Sequence, residues 1–393
     1  MQDDRRAKRA VAILAWAQAV LGAQMPVHFI LGGLVGAMLA EDPRLATLPI
    51  SAIVLTSMVS APALSWLMGR AGRRTGFLIG AASGALSAWV AVEAILLRSF
   101  WLFCAGTALA GVYMAAHNLY RFAAADLASD AFRPKAIAWV MGGGLMAALI
   151  GPEIVQRFGE AMAPVPHAGA YRALIVLIAV GAVPLLLLDI PRPPVRSADA
   201  PAGRPLSAIL AERRVAVAML CAMVSYALMN LVMTATPLAM ALCGFATAAS
   251  AEVVRAHVLA MYAPSFVTGW LIARFGAPAI IATGLLMLAG AAVVALLGIA
   301  FANFMGALVL LGVGWNFGFI GATSMLAASG RAEERPRLQG VNDFAVMALV
   351  SVASLSSGAL LGTAGWQAVQ AAMLPLLTLA GGALAWLVLR EGR

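Results

Sequence analysis

The chain of 393 residues is 63% hydrophobic and only 11% charged, with a mean hydropathy of +0.93 and a formal net charge of +9. That balance excludes a soluble globular domain, and three Cys are too few for a disulfide framework. No phosphate-binding Gly-Lys-Ser/Thr loop, His-Glu-xx-His pair or nucleophile elbow occurs, so neither an enzyme nor an ATP-driven pump is expected.

Apolar stretches long enough to cross a bilayer as helices recur along the chain. We place twelve, at roughly 11–39, 47–69, 75–97, 100–125, 135–156, 170–189, 215–242, 252–274, 277–299, 302–330, 337–362 and 365–389. The expected fold is therefore an all-α membrane protein with twelve transmembrane helices. The first stretch is too long for a cleavable signal and carries no cleavage site. With the N-terminus inside, all but five of the 26 Lys and Arg fall on the inner side; Arg44, Arg98, Arg157, Arg172 and Arg255 are the exceptions. This asymmetry puts both termini in the cytoplasm. It also accounts for the positive charge as topology, without a nucleic-acid partner. The surrounding partner is membrane lipid.

Segment 5 holds Gly142-Gly143-Gly144 and Gly151-Pro152, a composition for close helix approach and bending. The Pro-rich run Pro191–Pro205 is the one break in the hydrophobic pattern and reads as a cytoplasmic linker. It divides the chain into an N-terminal six-helix bundle (1–190), a linker (191–214) and a C-terminal six-helix bundle (215–393). Matching words support a repeat. Phe132-Arg-Pro-Lys-Ala opens segment 5 and Glu334-Arg-Pro-Arg-Leu opens segment 11. Met58-Val-Ser-Ala-Pro62 precedes Gly69-Arg-Ala-Gly72, as Met261-Tyr-Ala-Pro264 precedes Ala273-Arg-Phe-Gly276. A 6+6 layout, and the loop Gly69–Arg74 after segment 2, resemble the major facilitator superfamily, although Gly69 stands where that signature normally has Asp.

Segment 7 carries Met229-xxx-Met233 and segment 8 carries His257-xxx-Met261. Residues at i,i+4 share one helix face. Thioethers and an imidazole make a soft donor set that favours copper, above all Cu(I), over zinc. Ordinary packing is the competing reading, because Met is a common gap-filler in cores. With 20 Met, about one Met-xxx-Met pair arises by chance, and Met219-xxx-Met223 is a second example; with 4 His, a chance His-xxx-Met is expected only ~0.2 times. Asn230 stands beside Met229 as a cavity-lining or interhelical side chain. In segment 1, the repeat-equivalent of segment 7, Met25 and His28 are candidates for further metal ligation, with packing as the alternative. His117-Asn118 in segment 4 reads likewise, whereas His167 falls in an outside loop and reads as solvated.

Intramembrane charges are candidates for function. Asp343, early in segment 11, suits proton coupling or a helix-end ion pair with Arg335 or Arg337. Asp126 and Arg121 near the inner end of segment 4 form a candidate paired gate. Glu93 and Arg98 lie close enough to the outer end of segment 3 to reach water. Trp315-Asn316 in segment 10 either lines a cavity or packs.

The double motif resembles that of the CcoA-type copper importers, a branch of the major facilitator superfamily that also includes riboflavin transporters. Met229/Met233, His257/Met261, their separation, and Cys221 and Cys243 around segment 7 carry the resemblance. It implies a multi-pass protein of the bacterial inner membrane that imports copper by alternating access, for assembly of cbb3-type cytochrome c oxidase. It further implies Met229, Met233, His257 and Met261 as metal ligands and copper as substrate, with no resident cofactor. A thiol role for Cys221 and Cys243, a periplasmic copper donor and a cytoplasmic acceptor also follow. Riboflavin or another small organic solute, and a non-transporting assembly factor, are the alternatives.

Overall fold

The computed structural model describes residues 2–120, 123–124, 129, 132–190, 204–329 and 334–391. Among them the regular structure is helical. The first half contains α1 (Gln2–Val20), α2 (Gln24–Leu39), α3 (Leu48–Ala71), α4 (Arg73–Leu96), α5 (Phe100–Asn118), α6 (Arg133–Phe158) and α7 (Ala168–Ala182). The second contains α8 (Leu206–Leu210), α9 (Arg213–Leu242), α10 (Thr247–Tyr262), α11 (Ser265–Phe275), α12 (Ala277–Leu296), α13 (Phe301–Ser329), α14 (Arg335–Ala371) and α15 (Met373–Glu391). Nine helical stretches among the described residues are long and apolar enough to cross a membrane, or ten when the bent pair α10–α11 counts as one span. The last stretch, Arg337–Glu391, is 55 residues long and is interrupted at Gly365, whose φ of 79° leaves the helical region.

Large apolar side chains lie on the outside as well as in the core, and several polar ones are buried. Gln24, His28, Asn230, His257, Asn316, Asn342 and Gln370 are buried, whereas Trp66, Trp101, Leu186, Trp270, Leu286 and Leu389 are exposed. Lipid tolerates apolar side chains on the outside, while polar groups gain from partners inside.

Two compact units emerge, residues 1–195 with 240–258, and residues 196–239 with 259–393. In the first, α6 lies against α1 and α2 with almost no side chain between them. A Cβ on Gly151 would come 2.6 Å from the carbonyl oxygen of Ala23, and one on Gly143 would come 2.5 Å from that of Ala15. In the second unit α12 and α13 meet backbone to backbone. A Cβ on Gly284 would sit 2.8 Å from the Gly314 oxygen, and one on Gly314 would sit 3.0 Å from the Gly284 oxygen. Small residues at such crossings let dispersion act between main chains, which is the attraction available where lipid removes the hydrophobic drive.

The repeat shows in local conformation. Gly72 between α3 and α4 has φ 91° and ψ 154°; Gly276 between α11 and α12 has φ 83° and ψ 151°. Just before each, an Arg lies over a Trp four residues back: Arg70 is 4.3 Å from the Trp66 ring centroid and Arg274 is 5.5 Å from that of Trp270. Both pairs suit a membrane–water boundary, where the indole faces lipid and the guanidinium reaches water. The words Trp66-Leu-Met-Gly-Arg-Ala-Gly72 and Trp270-Leu-Ile-Ala-Arg-Phe-Gly276 make the match longer than the loops alone suggest. The equivalence fails at the prolines. Pro62 sits inside an unbroken α3, whereas the chain breaks before Pro264 and bends by 41° between α10 and α11.

Replacing Gly284 with Leu should remove about 1–3 kcal/mol of stability through overpacking against rigid backbone. Gly290→Ala, whose nearest atom would be Leu310 Cδ1 at 3.8 Å, should be near neutral. Thermal unfolding of detergent-solubilised protein checks the contrast.

Candidate functional site

Both motif pairs occupy helix interiors. Met229 (3% exposed) and Met233 (5%) lie on α9; His257 (0%) and Met261 (7%) lie on α10. None of the four faces lipid, and each pair is one helical turn apart. The boundary between the two compact units falls after Val258, so His257 belongs to the first and Met229, Met233 and Met261 to the second.

Each pair lies shortly before a proline, Pro237 inside the continuous α9 and Pro264 after α10. Pro237 inside α9 has no N–H, so the carbonyl of Met233, four residues earlier, loses its helical donor. Thr236 Oγ1 donates to the neighbouring Val232 carbonyl at 2.7 Å. From α14, Ser357 Oγ donates to the Leu231 carbonyl at 2.8 Å. Asn230 is buried, and its Oδ1 accepts from Thr234 Oγ1 at 3.4 Å. On α10, the carbonyl of Met261 accepts from Asn316 Nδ2 of α13 at 2.7 Å. Aromatic rings pack together in the second unit. Trp315 stacks on Phe319 at 5.5 Å between centroids, with Tyr226 at 5.5 Å and Tyr262 at 6.4 Å from Trp315.

The remaining candidates separate. Met25 packs against the apolar cluster of Ile53, Ala110 and Met114. His28 is fully buried with its ring 5.5 Å from that of Tyr171, and neither ring nitrogen has a hydrogen-bond partner among the described residues. Asp343 is half-buried on α14, and Asn342 Nδ2 donates to its Oδ1 at 3.4 Å. Arg121 and Asp126 lie outside the described residues. Cys221 is buried, its thiol 3.9 Å from the Ala380 carbonyl oxygen, whereas Cys243 is exposed just after α9. His167 is half-buried rather than solvated, and burial pushes its pKa down.

Two ion networks escaped sequence reasoning because the tie that matters in each joins residues far apart in the chain. In the first unit, Glu153 on α6 pairs with Arg157 at 2.6 Å and with Arg255 on α10 at 3.1 Å; Arg255 also donates to Gln156 at 3.4 Å. This ties the middle of α10 to α6, two residues from His257. In the second unit, Arg204 grips the buried Glu334 carboxylate through Nε at 2.8 Å and Nη2 at 2.9 Å, and also pairs with Glu212. Those two carboxylates push the Arg204 guanidinium pKa up. The network anchors the segment before α8 to the starts of α9 and α14.

Among the described residues, no group of three or more His, Cys, Asp or Glu could hold a metal ion.

No protein-family model matches the chain. It is 40% identical over 383 residues to the riboflavin transporter RfnT of Brucella anthropi, covering 96% of both chains. The chain belongs to the major facilitator superfamily of transporters. It is 29% identical to the uncharacterised MFS-type transporter YddS of Bacillus subtilis, over 97% of this chain and 89% of that one. Its fold is that of the nucleoside transporter NupG, with a TM-score of 0.73 at 14% identity, covering 96% of this chain and 99% of that one. The human organic anion transporter MFSD10 is also similar, with a TM-score of 0.65 at 17% identity, over 98% and 100%. The chain is thus a multi-pass integral membrane protein and a secondary transporter of the MFS type, not an enzyme.

If the charge asymmetry sets the topology, Cys243 faces the outside. A membrane-impermeant maleimide added to sealed right-side-out vesicles should label Cys243 and leave buried Cys104 and Cys221 unmodified. Labelling in inverted vesicles alone would reverse the assigned orientation.

Proposed function

We propose that this transporter imports copper across the bacterial inner membrane by alternating access, with Met229, Met233, His257 and Met261 as the cargo ligands. In this reading the chain spans the membrane twelve times with both termini in the cytoplasm. The observation that carries it is the burial of all four residues, as two one-turn pairs, inside two successive apolar segments. Thioethers are neutral at any pH and imidazole is neutral above its pKa, so such a set binds Cu(I) without deprotonation. Neutral donors leave the ion's charge uncompensated in a medium that disfavours charge, which favours release over permanent capture. Import, rather than export, and supply to cbb3-type oxidase assembly follow the resemblance to the CcoA-type branch. A periplasmic donor and a cytoplasmic acceptor would complete the route. Asp343 is the candidate for proton coupling, and the thiols of Cys221 and Cys243 are candidates for assisting transfer.

Uptake of riboflavin is the second reading, favoured by the 40% identity to a riboflavin transporter over nearly the whole chain. It would make the methionines apolar lining and the Tyr226–Trp315–Phe319 rings a stacking surface for a flat solute.

Radioactive copper uptake by cells expressing the protein separates the two. His257→Ala should abolish uptake and Met233→Ala should lower it roughly tenfold or more, at unchanged protein levels. Wild-type uptake in both variants would sink the copper site. Rescue of a riboflavin auxotroph by the wild type, equally well by both variants, would establish the second reading instead.

A further inference from the structure

The break between α10 and α11 is not a consequence of Pro264 alone, since Pro62 occupies the matching word in a continuous α3. At the break stands Asn316, fully buried on α13. Its Nδ2 donates to the Met261 carbonyl and to Ser265 Oγ, both at 2.7 Å, and its Oδ1 accepts from Thr268 Oγ1 at 2.6 Å. Thr268 Oγ1 also lies 2.8 Å from the Pro264 carbonyl. The amide orientation is dictated by chemistry, because the Met261 carbonyl can only accept. One side chain therefore holds the last turn of α10 and the first turn of α11 through three bonds. It supplies a donor to main chain that a broken helix leaves open, in a setting where water is scarce.

We propose that Asn316 is a positioning residue for the cargo site, fixing the backbone of Met261 and thereby the direction in which its thioether leaves α10. This rests on reading His257 and Met261 as cargo ligands. A one-turn pair binds a shared ion only while both side chains converge, and the free end of α10 would otherwise fray at Met261. Loss of the amide also leaves the Met261 carbonyl without that donor, a cost in stability that is read separately as the amount of folded transporter recovered.

The test is copper uptake against copper concentration, per amount of transporter recovered monodisperse from the membrane. Asn316→Ala and Asn316→Asp should raise the half-saturating copper concentration about tenfold, and Thr268→Val, which removes one of three bonds, about threefold. Maximal rates should change less than twofold. Asp should be no better than Ala, because it puts an acceptor against the Met261 carbonyl. An unchanged half-saturating concentration in Thr268→Val and in whichever Asn316 variants fold, with wild-type copper uptake intact, overturns the positioning role alone. Absence of copper uptake by the wild type overturns the cargo reading, and the inference with it.

Discussion

Main-chain polarity in a low-dielectric surrounding governs this protein. A peptide N–H or C=O facing hydrocarbon without a partner costs several kcal/mol, so the chain has no choice but helix wherever it crosses lipid. Departures from helix then leave main-chain groups that a side chain can satisfy. Asn316 does so at the seam before Pro264, while Thr236 and Ser357 add second donors to the Val232 and Leu231 carbonyls ahead of Pro237. Gly72 and Gly276 take the positive φ that turns one helix into the next. Of the helices that bear the Met and His pairs, α9 holds Pro237 inside a continuous helix and α10 ends at the bend before Pro264. Irregular backbone is where a transporter of this kind can both contact cargo and move.

Helix packing obeys the same constraint from the other side. Since lipid is as apolar as leucine, burying leucines gives little net gain, and attraction has to come from close approach and a few hydrogen bonds. Gly143 and Gly151 in the first unit, and Gly284 and Gly314 in the second, allow main chains to touch. The ion networks centred on Glu153 and Arg204 add directional ties, the first between part-exposed charges and the second onto the buried Glu334 carboxylate. A closely packed but weakly driven assembly is compatible with large rearrangement, because one arrangement of touching helices can give way to another of similar energy.

For function, the family is settled by identity over the whole chain, and the cargo turns on a handful of side chains. That division is physical. A superfamily fold fixes where a cavity forms and how access alternates, and says little about what the cavity lining prefers. Under the copper proposal the Met and His pairs would supply soft donors; under the riboflavin alternative Trp315, Phe319 and Tyr226 would supply a surface for a flat solute. Tyr226 stands on α9, the helix that also bears Met229 and Met233, which is why a relative named for riboflavin and a motif suited to copper can meet in one chain.

Much of the fold was legible in the sequence. The all-helical, multi-pass character has a one-dimensional signature in the twenty-residue apolar runs, because a bilayer is a one-dimensional constraint along its normal. The Met and His pairs were legible for the same reason, since i,i+4 spacing fixes a shared helix face before any helix packs. Burial of those pairs, the separate neighbours of Met25 and His28, and the ties from Glu153 to Arg255 and from Arg204 to Glu334 were not. They depend on which helices become neighbours, and partners far apart in the chain leave no local pattern. Asn316 is the clearest case. Its sequence context, Trp315-Asn316 in an apolar run, allowed lining or packing equally. Only tertiary structure carried it to the seam at Met261, because the need it meets arises on another helix, where Pro264 and the bend leave main chain without helical partners.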